Sequence, residues 1–384
     1  MPCCAHLPFV PPTLLCYNDS AVYTLQYQPM HNMWHHSMET SSPGAIRVLL
    51  LADTHLGVDL PFRPRIERRR RGHDFFANFE RALQPALDGE VDLVVHGGDL
   101  LYRSRVPPAL VEMAMAPLVR VADRGTPVYL VPGNHERSRI PLHLWTAHPN
   151  LHIFDRPRTF LYDGPPGPLA LSGFPFARAV RDQFSHLVAE TGFGEQRSIP
   201  SLLCIHQAVE GAQVGVSNYT FRVGPDVVAG ADIPSGLAAV LSGHIHRAQV
   251  LTHDLGGHPL AAPVVYPGSV ERTSFAEREE PKGYLLLALD TTSQPGGALG
   301  GLSFVPLPAR PMVALDFAPA APGAGAVASE LAGELEALDP ESIVRIRLTG
   351  PHATAARSVL RAARLRELAP STMNIELAPD QEQG

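Results

Sequence analysis

Cysteine is scarce in this chain and poorly spaced for structural work. Cys3, Cys4, Cys16 and Cys204 include no C-x-x-C pair, and three of them crowd the first 16 residues, which excludes a disulfide framework and a zinc ribbon. Cys204 lies in an apolar run and reads as a buried small hydrophobe. Lysine is almost missing: Lys282 is the only one, and every other basic residue is Arg, a bias without mechanistic weight by itself. Positive charge is not in excess either. A formal net charge of -7 over 384 residues excludes a protein held to nucleic acid by bulk charge, so any such contact must come from local basic patches. The N-terminal stretch lacks the basic start and clean apolar segment of a secretory leader. What is present is 45% hydrophobic content, enough for one large core and a small second one. The expectation is a soluble cytoplasmic enzyme with no membrane attachment.

Five apolar runs end in polar side chains. Ile46 to Ala52 leads into Asp53-x-His55, Val91 to Val95 into Gly98-Asp99, and Pro127 to Val131 into Gly133-Asn134-His135-Glu136. Leu202 to Ile205 leads into His206, and Ala238 to Leu241 into Gly243-His244-x-His246. Each run has the length of a buried strand. Open α/β sheets bind ligands beyond the carboxyl ends of their strands, where loops present side chains without breaking the core. Strand ends that converge would therefore gather Asp53, His55, Asp99, Asn134, His206, His244 and His246 in one place. Nitrogen and oxygen donors in that number, with no Cys among them, suit two divalent ions better than one structural zinc. Gly98, Gly133 and Gly243 permit the sharp turns and close backbone approach this requires.

Taken in order, residues 1–44 look foreign to the rest of the chain, with no Arg or Lys and no helical or strand period. The expectation there is a disordered extension, or a start placed too early with Met38 as the true one. Arg63, Arg65 and the unbroken run Arg68 to Arg71 precede a helix marked by Phe75, Phe79, Leu83 and Leu87 at spacing four. A cationic helix start opposes the macrodipole. The run is either a solvated loop or a set of phosphate contacts in which Arg68, Arg69, Arg70 and Arg71 meet DNA. Pro107 to Asp123 predicts a helix that Pro117 kinks or ends early. Arg137 and Arg139 stand close after His135 and are placed to hold a phosphate. Short strands from Leu151 to Phe176, a helix from Ala179 to Glu190, and strands Gln249 to His253 and Pro263 to Tyr266 supply a second set, so that helices cover two packed sheets. Gly283 to Asp290 and Leu302 to Leu307 read as a hairpin. Beyond Pro311 the order is strand (Met312 to Phe317), helix (Ala326 to Leu338), strand (Ile343 to Leu348), helix (Thr354 to Leu368), strand (Met373 to Leu377), a small separate α/β unit.

The ordered blocks D-x-H, G-D, G-N-H-E, a lone His and G-H-x-H resemble the calcineurin-like metallophosphoesterases. Any one block is weak; the ordered set, each at the end of an apolar run, is specific. Within that family the chain is similar to SbcD-type DNA repair nucleases. The likeness lies in Ala52-Asp53-Thr54-His55-Leu56-Gly57, His96-Gly97-Gly98-Asp99-Leu100, Gly243-His244-Ile245-His246-Arg247 with Gln249, and Tyr266 to Phe275 followed by Lys282-Gly283. It spans Ile46 to Asp290 and, more loosely, the tail.

The resemblance implies a four-layer α/β/β/α sandwich over residues 45–310 and a capping-like domain over 311–384 that steers DNA. It implies two divalent ions, manganese before magnesium, iron or zinc. Asp99 would bridge them, with Asp53, His55 and His246 completing one site and Asn134, His206 and His244 the other. His135 is then left over beside Asn134 as the general acid for the departing sugar oxygen, and Arg137 and Arg247 join the arginine run as substrate contacts. Three residues after Asp99, where the family often has a second catalytic His, stands Tyr102. The helical segment that docks an SbcC-type ATPase partner has no counterpart before Gly384, and such proteins are commonly homodimers. The leading expectation is a metal-dependent DNA phosphodiesterase. The alternatives are a hydrolase for small phosphate esters and a scaffold without turnover, against which the intact ligand set argues.

Overall fold

The computed structural model describes residues 44–60, 68–136, 148–195, 199–291 and 296–379. Met38, Arg63, Arg65, Arg137 and Arg139 lie outside these residues. Two-residue strands aside, the strands are β1 (Ile46–Leu51), β2 (Leu93–His96), β3 (Val128–Leu130), β4 (Leu151–Ile153), β5 (Arg158–Gly164), β6 (Gly167–Gly173), β7 (Ser201–Ile205) and β8 (Ala239–Ser242). They continue as β9 (Gln249–His253), β10 (Pro259–Tyr266), β11 (Gly283–Asp290), β12 (Ala298–Pro306), β13 (Met312–Phe317), β14 (Ile343–Leu348) and β15 (Asn374–Leu377). The helices are α1 (Arg71–Ala82), α2 (Gln84–Leu87), α3 (Pro108–Asp123), α4 (Val180–Glu190), α5 (Ala324–Glu336), α6 (Ala353–Val359) and α7 (Ala362–Leu368).

β1 is apolar throughout because both of its faces are covered. Ile46, Val48 and Leu50 face the second sheet, while Leu49 and Leu51 face the helices with Phe75, Phe79 and Leu118. The first sheet has the order β12-β11-β1-β2-β3-β4, with β1 to β4 parallel and the β11–β12 hairpin antiparallel at one side. The second has the order β9-β10-β8-β7-β6-β5, in which β6, β7, β8 and β10 run parallel. Cys204, Leu202, Leu171 and Leu241 of the second sheet meet Val95, Tyr129 and Leu285 of the first in the central core. Outside the second sheet, Phe184 and Val188 of α4 pack on Leu203, Ile205 and Val264. The result is the α/β/β/α sandwich expected.

α3 runs through Pro117 to Asp123, so the expected span holds and an early end at Pro117 does not. The carbonyl that a proline at this point deprives of its partner belongs to Met113, which is 45% exposed, so water can take that bond. The single helix expected from Thr354 to Leu368 is two, α6 and α7, broken at Leu360 with ψ 59°. At the C-terminal end, β13, β14 and β15 form a separate parallel sheet. It carries its own core of Phe317, Val327, Leu331, Val344 and Leu365.

Candidate metal centre

The parallel alignment of β1, β2 and β3, and of β7 and β8, brings their carboxyl ends together, and backbone bonds lock the loops beyond them. Asp53 N–H donates to the Gly98 carbonyl at 2.9 Å and His55 N–H to the Asp99 carbonyl at 2.9 Å. Of the seven non-glycine residues with positive φ among those described, four are Asp53, His55, Asp99 and His244. Such conformations cost roughly 1–3 kcal/mol each and persist where the surroundings enforce them, typically at functional sites. A methyl group on Gly133 would stand 2.2 Å from Asp99 Oδ1, and one on Gly98 would stand 2.4 Å from His206 Nδ1, so the loops close only because both are Gly.

All seven expected donors are brought together. His55 Nε2 faces His246 Nε2 at 3.0 Å, and His246 Nε2 lies 4.0 Å from Asp53 Oδ1. Asn134 Oδ1 stands between His206 Nε2 at 3.1 Å and His244 Nδ1 at 3.0 Å. Asp99 Oδ2 is central, at 3.5 Å from His206 Nε2, 3.9 Å from His55 Nε2 and 3.8 Å from His135 Nε2. Potential donor atoms therefore group as Asp53, His55 and His246, as Asp53, Asp99 and His206, and as His55, Asp99 and His135. The last group gives His135 a reach toward the ligand cluster beyond the role of proton donor.

The donor chemistry fits divalent cations. Asp53 and Asp99 are buried, and among the described residues their ion pairs are with histidines alone. Burial pushes the Asp53 carboxyl up to about 6, against the pull of His206 and His246. Burial opposes ionisation of Asp99 as well, but the histidines around it hold its carboxyl well below the usual range. Burial and neighbouring imidazoles push His55 and His244 down to about 3, leaving the neutral rings that ligation requires. Burial acts against protonation of His206 too, yet Asp99 and Asp53 raise it to about 9, and the same carboxylate field favours any cation. The ring orientations are set from behind, with His206 Nδ1 2.7 Å from the Gly97 carbonyl and His246 Nδ1 3.2 Å from Glu277 Oε1.

His135 sits at the edge of the cluster. Its backbone N–H donates to Asp99 Oδ1 at 2.9 Å, and its ring Nδ1 donates to the Tyr102 carbonyl at 2.5 Å, which leaves Nε2 directed inward. A cleft of about 240 Å³ opens here, lined by His55, Tyr102, Asn134, His135, His244 and Thr273 among others. Residues 46–248 match the family model of the calcineurin-like phosphoesterases. The chain belongs to that family. Among curated phosphoesterases of this kind, three archaeal proteins described as DNA double-strand break repair protein Mre11 are similar. The one from Methanosarcina mazei is 31% identical over 252 residues, covering 64% of this chain and 36% of the relative. The one from Halobacterium salinarum is 30% identical over 256 residues, covering 64% and 57%. The one from Saccharolobus solfataricus is 24% identical over 216 residues, covering 55% and 52%. The chain thus spans between about a third and somewhat over half of the length of these relatives.

The described arginines among those expected to meet substrate have partners within the chain. Arg247 donates to Glu280 Oε1 at 2.9 Å, Asn218 Oδ1 at 2.7 Å and the Gly215 carbonyl at 2.6 Å, so its guanidinium is committed to protein. Arg68 donates to the carbonyls of Arg366 at 2.6 Å and Met373 at 3.1 Å in the C-terminal unit. Arg69 pairs with Asp74 at 2.7 Å and with Glu341, Arg70 with Asp59, and Arg71 with the Arg272 carbonyl. Asp59, Asp74 and Glu341 supply anions beside this cationic helix start, and backbone carbonyls supply neutral acceptors. Arg137 lies outside the described residues. Sequence reasoning quoted Glu136 and Lys282 in its motifs without giving them a task, and it passed over Glu277 and the carbonyl of Tyr102.

Proposed function

We propose that this phosphoesterase hydrolyses phosphodiester bonds in DNA with the help of two divalent ions. The observation that carries the reading is the meeting of seven donors from five strand ends with His135 beside them. Two ions held by Asp53, His55, Asp99, Asn134, His206, His244 and His246 would supply Lewis acidity for an in-line displacement at phosphorus. The cysteine-free set of two carboxylates, one amide and four imidazoles admits manganese, iron or zinc, and manganese is the ion taken in this reading. The remaining work falls to the chain. The Tyr102 carbonyl keeps the Nδ1 proton of His135 in place, and Nε2 delivers a proton to the departing sugar oxygen. With its side chain 36% exposed, His135 is open to substrate in a way that His206 is not. DNA as substrate is supported by the Mre11 proteins to which the chain is similar. An SbcC-type ATPase, a second copy of the chain, a cytoplasmic setting and a DNA-steering role for residues 311–384 belong to the same reading. Among the described residues no helix is long and apolar enough to cross a membrane.

The test uses purified protein, stripped with chelator and reloaded with manganese, on single-stranded DNA, blunt duplex DNA and bis-p-nitrophenyl phosphate. DNA cleavage that stops with chelation and returns with metal is the expected outcome. Hydrolysis of the small diester alone would remove DNA from the reading, and two bound metals without turnover on any substrate would remove catalysis.

A further inference from the structure

Lys282 is buried, with its side chain 1% exposed, and all three hydrogens of its ammonium are used. Nζ donates to the His246 carbonyl at 2.8 Å, to Glu277 Oε2 at 2.8 Å and to Glu280 Oε2 at 3.1 Å. The two carboxylates have separate tasks. Glu277 Oε1 meets His246 Nδ1 at 3.2 Å and the Thr273 hydroxyl at 2.5 Å, which turns the other ring nitrogen of His246 toward His55 and Asp53. Glu280 Oε1 holds the guanidinium of Arg247, whose other nitrogens hold Gly215 and Asn218. Those two residues belong to the hairpin of Gln213–Val214 and Tyr219–Thr220. That hairpin is also fastened by Gln249, which exchanges two bonds of 2.9 Å with the backbone of Gln213. It needs fastening, since Val216 and Tyr219 on it are 69% and 59% exposed and contribute little burial to hold it.

We infer that Lys282 is a positioning residue with two arms, one that orients the metal-facing His246 through Glu277 and one that fixes the 213–220 hairpin through Glu280 and Arg247. The choice of residue supports this. In a chain whose other basic residues are all Arg, the only Lys stands where three acceptors converge on one atom, a demand met by a compact ammonium and not by a planar guanidinium. Without it, two neighbouring buried carboxylates face each other with one cation fewer, and both arms lose their common anchor.

The inference rests on the seven donors binding metal, and the variants separate its failure from failure of that reading. Four proteins are compared with the parent: Glu277→Gln, Glu280→Gln, Lys282→Met and Lys282→Arg. Manganese affinity is read by calorimetric titration of stripped protein, and hairpin release by the rate of trypsin cleavage after the exposed Arg222, with thermal melts to establish folding. Glu277→Gln should weaken one of two manganese affinities about 10- to 100-fold, the usual effect of losing a residue that orients a ligand, and leave the cleavage rate unchanged. Glu280→Gln should speed cleavage at Arg222 several-fold and leave both affinities within about twofold. Lys282→Met should do both, and Lys282→Arg should not restore either. If Lys282→Met does not fold, the two carboxylate variants still decide. Equal effects of Glu277→Gln and Glu280→Gln on manganese affinity, or none from either on its own readout, would overturn the two-arm assignment. Absence of manganese binding by the parent would instead overturn the metal reading.

Discussion

At the residue scale, the neighbours of Asp99 and His135 assign them different work. Asp99 lies within 3.5–3.9 Å of His55, His135 and His206, and in the proposed reading its carboxylate would be the group shared by the two ions. Asp99→Ala should lose metal and activity together, because two close cations repel without an anion between them. His135→Asn removes an imidazole anchored to the Tyr102 carbonyl and keeps all seven donors. Elemental analysis should still find two metals, while turnover on DNA falls about 10²- to 10⁴-fold, the usual range for a proton donor. The loss should shrink with p-nitrophenyl esters, whose leaving group needs little protonation. Metal loss from His135→Asn would make His135 a ligand, as its place with His55 and Asp99 allows.

At the element scale, one carboxyl group gathers three backbone N–H groups of the loops after β2 and β3, beside the bonds that His135 makes to Asp99 and Tyr102. Glu136 accepts the N–H groups of Asp99 at 3.0 Å, Leu101 at 2.8 Å and Gly133 at 2.8 Å, and it is buried. Glu136→Gln turns one of its oxygens into an amide nitrogen that faces backbone N–H. Burial and the Asp99 charge push the Glu136 carboxyl up to about 8, so its bonds count as those of a neutral group, roughly 0.5–1.5 kcal/mol each, and urea unfolding of the stripped variant should show a loss of that order, with weaker metal binding. Unchanged stability would show that the loops are held by other means. This example also marks the limit of sequence reading. The strands and the seven donors were legible because an apolar run followed by a polar loop is a local pattern. Partners such as Glu136 with Leu101, or Lys282 with the His246 carbonyl, are joined through backbone groups 35 or 36 residues away, and backbone groups leave no mark in composition.

At the scale of the whole molecule, two arginines of the run expected to contact DNA, Arg68 and Arg69, reach into the C-terminal unit of the chain. Arg310 lies at the centre of that junction, donating to Asp74 Oδ2 at 2.9 Å at the start of α1, and to Asn374 Oδ1 at 2.7 Å and the Thr372 carbonyl at 2.6 Å in the C-terminal unit. Arg68 and Arg69 flank it, and the Asn374 amide returns a bond to the Arg69 carbonyl at 3.2 Å. The pattern of charge called for anions beside α1 but carried no information on whether they would come from DNA or from the chain. Both side chains of the Arg310–Asp74 pair are 7% exposed, and removing one member of such a buried pair costs about 3–5 kcal/mol. The C-terminal unit has its own core, so the loss in Arg310→Met should fall on docking rather than on folding. Hydrogen exchange should then rise at the first turn of α1 and across residues 372–374, and a protease should gain access to the stretch between β12 and β13. Metal content should stay at the parent level, since none of the seven donors touches the junction. Unaltered exchange at both places would show that the two units are held together without the arginine cluster.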